Sequence, residues 1–343
     1  MIRDIDVTEA LNLENPVFID LRSPFEFNDG HIPGAVNIPL FSDQERSEIG
    51  TIYHHQGPGK ARNRGLEVVA PRLAEMVSAI RERAADSNIV VYCWRGGERS
   101  DAVAKVLDIM KVNGYRLVGG YKAYRAFVIE RLRELPRSQV VVIHGLTGSG
   151  KTEIIKKLAA DGWPALDLEG LANHRGSVFG GLGLGEQPRQ KQFDSMLYEK
   201  LKQFADEKFL IVESESRKIG RLFLPDRLYA MMKEGPHVLI YDNLENRVSR
   251  IYGEYVVASG NTMKDYINCM EGLWRYLGKK KTQEITKMIT DGNYRDAIRI
   301  LLTEYYDPLY GYPSAPDPNY CLNIDGSDAS QAAERLAAYL TNL

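Results

Sequence analysis

A glycine-rich run constrains this sequence more than any other feature: G-L-T-G-S-G-K-T occupies residues 145–152. It fits the pattern G-x-x-x-x-G-K-[ST] at each fixed position. It also lies between a strand pattern at 139–145 and a helical pattern at 152–161, which is the context that a phosphate-binding loop (P-loop) needs. The backbone N–H groups of such a loop surround a diphosphate, and its lysine adds a positive charge. The predicted diphosphate site comprises Gly145, Leu146, Thr147, Gly148, Ser149, Gly150, Lys151 and Thr152.

The sequence does not clearly identify the carboxylate that would accompany the P-loop in metal binding. Glu213 and Glu215 stand at the end of one apolar strand pattern, and Asp242 closes another. These carboxylates could support a metal ion or could be ordinary strand-end carboxylates, and both alternatives stay open. No metal ligand is certain, although Thr152 could bind Mg²⁺. A P-loop indicates polyphosphate binding and does not by itself identify ATP.

Strand and helix patterns alternate through the chain. Helical patterns separate the strand patterns, and residues from about 245 to 310 look mostly helical. This alternation predicts βαβ units and parallel sheets. The strand patterns lie at 16–22, 88–95, 139–145, 164–168, 209–214, 237–242 and 320–325.

A second loop, C-W-R-G-G-E-R-S at residues 93–100, follows a strand pattern and precedes a helical one. Successive backbone N–H groups in a glycine-containing turn, together with a helix N-terminus, form an anion-binding concavity. That field and the neighbouring arginines favour the thiolate, so Cys93 is predicted to be a catalytic nucleophile rather than a small buried hydrophobe. The predicted anion loop comprises Trp94, Arg95, Gly96, Gly97, Glu98, Arg99 and Ser100.

The segment D-L-R-S-P-F-E-F-N-D-G-H-I-P-G-A-V-N-I-P at residues 20–39 supports this interpretation. Together with the cysteine loop it resembles rhodanese domains and the related cysteine phosphatases, over about residues 5–130. Arg99 lies six positions after Cys93, a spacing that cysteine phosphatases share, so the loop has room for more than a single sulfur atom. A phosphatase function therefore stays open.

Three further runs resemble the tRNA 2-selenouridine synthase family: G-G-Y-K-A-Y-R (119–125), L-D-L-E-G-L-A-N-H-R-G-S-V-F-G (166–180) and V-E-S-E-S-R-K-I-G (212–220). The pairing of a rhodanese-like domain with a P-loop domain is uncommon and points the same way. The expected fold is therefore α/β. It has a rhodanese-like domain at 1–130, a linker at 131–138, and a P-loop NTPase-like parallel-sheet domain at 139–343 with the helical insertion at about 245–310.

The resemblance implies a transferase that acts in two steps on the wobble uridine of tRNA. Geranyl diphosphate first geranylates the sulfur of 2-thiouridine, and selenium from selenophosphate then replaces the geranylated sulfur to give 2-selenouridine. Cys93 would carry selenium transiently. The glycine-rich segment 174–185 would lie near the transfer site, unless it is a flexible surface loop.

Any tRNA contact must come from a local patch. The chain has 44 Lys and Arg against 46 Asp and Glu, a net charge of -2 at pH 7, so its surface is not uniformly basic. The lysine run at 279–281 follows Trp274 and Tyr276, which could stack on bases, but such runs are also found on solvated helix faces. Candidate contacts to tRNA or to a geranyl group are His174, Arg175, Lys279, Lys280 and Lys281.

Composition limits the remaining possibilities. The three cysteines have no paired spacing and suit a reducing cytoplasm rather than a disulfide framework or a zinc site. No apolar run approaches the ~20 residues of a membrane span. We therefore expect a cytoplasmic monomer with no membrane contact and no tightly bound cofactor.

Two alternative functions stay open. The chain could be a sulfurtransferase or cysteine phosphatase fused to a small-molecule kinase-like P-loop domain. It could also be a binding module in which a nucleotide-sensing P-loop domain regulates the cysteine domain. Copurifying tRNA or prenyl diphosphate would favour the modification enzyme, and bound ATP would favour the kinase.

Overall fold

The structure, a computed structural model, describes residues 1–84, 87–135, 139–258 and 260–342. It divides into two units. The first contains Met1–Leu132 together with Arg189–Glu199, and the second contains Arg133–Pro188 together with Lys200–Leu343.

The first unit is built on a parallel five-stranded sheet. Its strands alternate with helices along the chain, as the sequence patterns predict. The strand order is β1-β5-β4-β2-β3, which places β4, the strand that leads into the cysteine loop, at the centre. The strands are β1 (Ile2–Ile5), β2 (Pro16–Asp20), β3 (Val36–Asn37), β4 (Asn88–Tyr92) and β5 (Gly114–Leu117).

The helices of the first unit begin at recognisable signals. Three N-terminal capping boxes, at Asp6, Ser23 and Ser42, each satisfy two backbone N–H groups that would otherwise have no partner. The helices are α1 (Val7–Leu11), α2 (Pro24–Asn28), α3 (Asp43–Gln56), α4 (Pro58–Val69), α5 (Leu73–Ala84), α6 (Glu98–Ile109) and α7 (Gly120–Arg133).

The predicted linker at 131–138 begins inside helix α7, because this helix continues to Arg133. Leu132 is buried, so the last turn of α7 still packs against the first unit. Residues 136–138 of the predicted linker lie outside the described residues.

The second unit has its own parallel sheet, with the order β12-β11-β6-β8-β7. Strand β6, which leads into the P-loop, is central and pairs with both β8 and β11. A short antiparallel pair, β9–β10, stands apart from this sheet. The strands are β6 (Gln139–His144), β7 (Ala165–Leu166), β8 (Phe209–Glu213), β9 (Lys218–Ile219), β10 (Leu222–Phe223), β11 (His237–Tyr241) and β12 (Leu322–Asp325).

Helices flank this sheet and fill the region that the sequence indicates to be α-rich. Two π-helical turns, Gly253–Val257 and Leu302–Tyr306, interrupt that region. The helices are α8 (Lys151–Ala160), α9 (Leu168–Ala172), α10 (Gln190–Gln203), α11 (Asp226–Glu234), α12 (Leu244–Tyr252), α13 (Met263–Leu277), α14 (Lys279–Thr290), α15 (Tyr294–Leu301), α16 (Asp307–Tyr310) and α17 (Ala329–Leu340). None of the described helices is both long and apolar enough to cross a membrane.

The start of helix α10 packs in the first unit, which the sequence does not predict. Gln192 accepts a hydrogen bond from the backbone N–H of His31 at 2.9 Å, and Asp194 pairs with Arg125. Phe193 is fully buried. The first unit is therefore completed by a segment, Arg189–Glu199, that follows the P-loop in the chain.

We predict that Phe193→Ala destabilises the first unit by about 3–5 kcal/mol, because it leaves a cavity at a fully buried site. Hydrogen exchange at the β2 and β4 amides should accelerate, while the β6 and β8 amides stay protected. Phe223→Ala, at a half-exposed position in β10, is the control and should change neither set. If only the β6 and β8 amides lost their protection from exchange, Arg189–Glu199 would not belong to the first unit.

Candidate functional site

The cysteine loop follows β4 and leads directly into α6. Cys93 is 3% exposed, and its Sγ lies 3.3 Å from the hydroxyl of Ser100 in the first turn of that helix. The Ser100 hydroxyl also lies 3.2 Å from the carbonyl oxygen of Gly97, to which it donates. The thiol is therefore held at a helix N-terminus, where the helix dipole favours a negative charge.

Close backbone packing holds the start of the loop in place. The backbone N–H of Tyr121 donates to the carbonyl of Cys93, and that of Lys122 donates to the carbonyl of Trp94, both at 2.9 Å. Gly120, at φ 57°, makes this approach possible, because a Cβ there would lie 2.2 Å from the Cys93 carbonyl oxygen. The run G-G-Y at 119–121 is thus a structural support of the cysteine loop.

Two charged residues of the cysteine loop form ion pairs within the described part of the chain, and a third does not. Arg99 donates to both carboxylate oxygens of Glu26, at 2.6 and 3.2 Å. Burial of Glu26 opposes its ionisation, but the bonds from Arg99 lower its pKa overall. Glu98 pairs with Arg62, whereas the exposed Arg95 has no hydrogen-bond or ion-pair partner among the described residues. Arg95 is therefore the freest cation of the loop.

The P-loop has the predicted position between β6 and α8. Gly145 has φ 151°, and a Cβ at this position would lie 2.2 Å from the carbonyl oxygen of Ile240 in β11. Gly150 caps α8 in the left-handed conformation. The Nζ of Lys151 donates back to the carbonyl oxygen of Gly145 at 2.6 Å.

Two arginines of α12 donate hydrogen bonds to backbone carbonyls of the P-loop, and neither was predicted from the sequence. Arg247 donates to the carbonyl of Thr147 at 2.9 Å, and Arg250 donates to the carbonyl of Gly148. Asp242, which the sequence left between a metal ligand and a structural carboxylate, accepts from Arg250 at 3.1 Å and is structural here. The three-residue spacing of the arginines on one helix face is the signal that could have revealed them.

Buried carboxylates surround Lys151 and Thr152. The Thr152 hydroxyl donates to Glu169 at 3.0 Å, and Glu213 accepts from the backbone N–H of Glu169 at 2.8 Å. Burial raises the pKa values of Glu169 and Glu213, and desolvation lowers that of Lys151. Glu169 was not predicted, although it lies three residues after the end of β7 at Leu166, and Glu213 is the last residue of β8.

The acidic groups around Lys151 and Thr152 are candidate ligands for a metal ion. In the ranges that the structure describes, no cluster of three or more His, Cys, Asp or Glu side chains is arranged to hold a metal ion. The second oxygen of Glu213 nevertheless has no hydrogen-bond partner there. Carboxylate and hydroxyl oxygens are the ligand types that Mg²⁺ prefers, so the donor set is compatible with that ion.

An apolar cavity of about 70 Å³ adjoins the P-loop. Since a single water needs roughly 10–15 Å³ of such space, the cavity has room for an apolar group of several atoms. Its lining includes Thr147 of the loop, and the rest comes mainly from the helical region. Other lining residues are Ser177, Phe179, Tyr255, Leu302 and Tyr306.

The segment 174–185 lies against this site rather than free at the surface. Arg175 pairs with Glu254 and donates to the carbonyl of Leu182 at 2.8 Å, so its charge is already engaged. Gly176 approaches Glu215 so closely that a Cβ would lie 2.8 Å from its carboxylate. Burial lowers the pKa of His174. These contacts place the segment next to the P-loop carboxylates.

The lysine run begins helix α14. Lys281 pairs with Glu304 at 3.1 Å and with Glu284 at 3.5 Å, so its charge is compensated within the helical region. Lys279 and Lys280 remain exposed. A role of Lys279, Lys280 and Lys281 in tRNA binding stays a prediction.

Comparisons with known proteins match both halves of the chain. A family model described as the AAA domain of tRNA 2-selenouridine synthase matches residues 138–336, and a rhodanese-like domain model matches residues 6–127. The tRNA 2-selenouridine synthase of Pseudomonas savastanoi pv. phaseolicola is 36% identical over 88% of this chain and 90% of its own length. The chain belongs to the tRNA 2-selenouridine synthase family.

Other members of the tRNA 2-selenouridine synthase family agree with this assignment. The protein of Nitrosomonas eutropha is 32% identical over 90% of both chains, and that of Sulfurovum sp. is 33% identical over 88% of this chain and 90% of its own. Among solved structures, the N-terminal domain of a protein described as ATP/GTP binding, from Clostridium difficile 630, is 42% identical. The match covers 36% of this chain and 98% of that chain, with a TM-score of 0.36.

The stability of the second unit should depend on pH through the carboxyl group of Glu215. Burial and the neighbouring Glu169 raise its pKa from 4.5 to about 8. A raised carboxyl pKa favours the neutral form in the folded state, so its contribution to stability is present below pH 4.5 and is lost as the pH rises towards 8. Glu215→Gln should therefore flatten the decline in the free energy of unfolding of the second unit between these two values.

Glu45→Gln in the first unit is the control with the opposite sign. Hydrogen bonding from Arg72 lowers the pKa of Glu45 to about 2, so its contribution is lost only in acid, as the pH falls below 4.5. Urea unfolding with hydrogen exchange in each unit measures both profiles. Identical pH slopes for wild type and Glu215→Gln between pH 4.5 and 8 would contradict the burial of this carboxyl.

Proposed function

We propose that the protein converts 2-thiouridine at the wobble position of tRNA to 2-selenouridine through an S-geranyl intermediate. As a member of its family it is a tRNA-modifying enzyme. Its P-loop takes geranyl diphosphate, and its cysteine loop serves the exchange of sulfur for selenium from selenophosphate.

The observation that carries this proposal is the apolar cavity beside Thr147. A nucleotide on the P-loop would place a ribose and a base nearby, and these need polar partners for their hydrogen-bonding groups. A lining dominated by aromatic and aliphatic side chains suits a hydrocarbon chain instead. A ligand with a diphosphate head and an apolar tail, part of which enters the cavity, therefore suits the loop and the cavity together.

Geranyl transfer is a displacement at the first carbon of the geranyl chain. The sulfur of 2-thiouridine forms the new S–C bond, the C–O bond to diphosphate breaks, and the diphosphate leaves with both bonding electrons. The loop N–H groups and Lys151 stabilise the charge that develops on the leaving group. Where Mg²⁺ accompanies the diphosphate, Thr152 and Glu169 would hold it and it would supply further positive charge.

In the selenium step, Cys93 acts as a nucleophile towards the base. Storing selenium on Cys93 directly from selenophosphate would need an oxidant, because the thiolate sulfur and the selenium are both fully reduced. We therefore assign to Cys93 an attack on C2 of the geranylated base, which releases geranyl thiolate. The selenium of selenophosphate then displaces Cys93 from C2, and water cleaves the Se–P bond to give phosphate and 2-selenouridine.

Cys93→Ser should lower the rate of selenium incorporation by at least about 10³-fold while geranyl transfer continues. Only the exchange of sulfur for selenium needs the thiolate nucleophile. S-geranyl-2-thiouridine should therefore accumulate in the RNA, as measured by mass spectrometry of its nucleosides. Cys269→Ser, at a half-buried thiol of α13, should behave as wild type. A Cys93→Ser protein that makes no geranylated nucleoside would contradict this division of labour.

Lys151→Ala should lower kcat/KM for geranyl transfer by about 10²–10³-fold, since it removes a cation from the leaving diphosphate. Selenation of RNA that already carries the geranyl group should be largely retained. Lys156→Ala, at an exposed lysine of the same helix, is the matched control. Tight ATP binding by the wild-type protein, without binding of geranyl diphosphate, would show that the P-loop serves a nucleotide.

A further inference from the structure

A second cavity, of about 1150 Å³, opens beside Cys93 within the first unit. The cysteine loop and α6 form one side of it, and helices α3 and α4 form the other. Pockets that enclose drug-sized ligands are roughly 300–1,000 Å³. The cavity is therefore far larger than a tetrahedral anion such as selenophosphate needs.

The wall opposite the thiol carries apolar side chains that are only partly covered, beside Arg46, His54 and Arg62. Leu66 of α4 is 68% exposed and Tyr53 of α3 is 51% exposed, and both line the cavity. Ile49 of α3 adds aliphatic surface to this wall, and Val106 of α6 adds some on the side of the cysteine loop. Helix α3 contributes no fully buried side chain to the protein core. Exposed apolar surface gathered at a cavity is typical of a binding site for an apolar group.

The polar side of the cavity is suited to an anion. Cys93 and Arg95 both line it, and Arg95 is the loop cation without a partner in the described ranges. Arg62 and Arg99 also line it but are engaged by Glu98 and Glu26. A ligand that fits both sides has an apolar chain, a reactive centre within reach of a thiolate, and a phosphate group.

We propose that this cavity holds the geranyl chain of the S-geranylated base while Cys93 reacts at C2. The proposal rests on the two-step function above and deepens it, because it assigns the chain a second site during selenium exchange. The Cys93 sulfur bonds to C2, the bond from C2 to the geranyl sulfur breaks, and the geranyl thiolate takes a proton from water. The chain of the departing thiol lies along the Leu66 and Tyr53 wall.

The test compares two RNA substrates that differ only in the alkyl group on sulfur. The full-length protein is given selenophosphate and an anticodon stem-loop that carries either S-geranyl- or S-methyl-2-thiouridine, and 2-selenouridine is measured by mass spectrometry. We expect kcat/KM to be at least about 30-fold higher for the geranyl substrate. Each buried methylene contributes a factor of about four, and the two groups differ by about nine carbons, of which only part need be buried.

Variants of the apolar wall identify where this preference arises. Leu66→Glu should reduce it to less than about threefold, because a carboxylate would face the chain. Leu66 is largely exposed, so the substitution should not unfold the unit, which circular dichroism checks. Leu66→Met should keep the preference. Ile109→Glu, at a 76% exposed position of α6 outside the cavity lining, is the matched control and should also keep it.

The outcomes separate this inference from the function on which it rests. Equal kcat/KM for the two RNAs, or a Leu66→Glu protein that keeps the full preference, would overturn the chain site while leaving the two-step function intact. A wild-type protein that converts neither RNA would show that the proposed function is wrong, and the chain site would be rejected with it.

Discussion

Both candidate loops depend on the close approach of two backbone segments at a glycine. A Cβ at Gly120 would lie 2.2 Å from the carbonyl of Cys93, and one at Gly145 would lie 2.2 Å from the carbonyl of Ile240. Each glycine therefore lets a neighbouring segment press against a loop that follows the central strand of a parallel sheet. The two reactive loops of the protein owe their shape to this constraint, because no other residue fits at either position.

Charge is arranged differently around the two loops. In the first unit the arginines near Cys93 are mostly paired. The Asp20–Arg22 pair of the same unit is completely buried, with the Arg22 guanidinium carbon 4.0 Å from the centroid of the Tyr121 ring. In the second unit, carboxyls with raised pKa values gather near Lys151. A cation at the P-loop would relieve that crowding, while the cysteine loop keeps Arg95 available to an incoming anion.

Local patterns predicted both loops and the strands β2, β4, β6, β7, β8, β11 and β12, because a P-loop, a cysteine turn and an apolar strand are each encoded within a few neighbouring residues. The short strands β1, β3, β5, β9 and β10 were missed. Contacts between distant parts of the chain could not be predicted in this way. The arginine pair of α12 reaches Thr147 and Gly148 across about 100 residues, and the Arg99–Glu26 pair spans 73. Nothing near Phe193 in the sequence indicates that it completes the first unit.

The order of the two reactions is the central claim, and a staged incubation tests it most directly. The wild-type protein is given tRNA with 2-thiouridine and geranyl diphosphate, then selenophosphate, and the wobble nucleosides are measured by mass spectrometry after each addition. S-geranyl-2-thiouridine is expected after the first addition, and 2-selenouridine should replace it after the second. Formation of 2-selenouridine at full rate when geranyl diphosphate is omitted would contradict it.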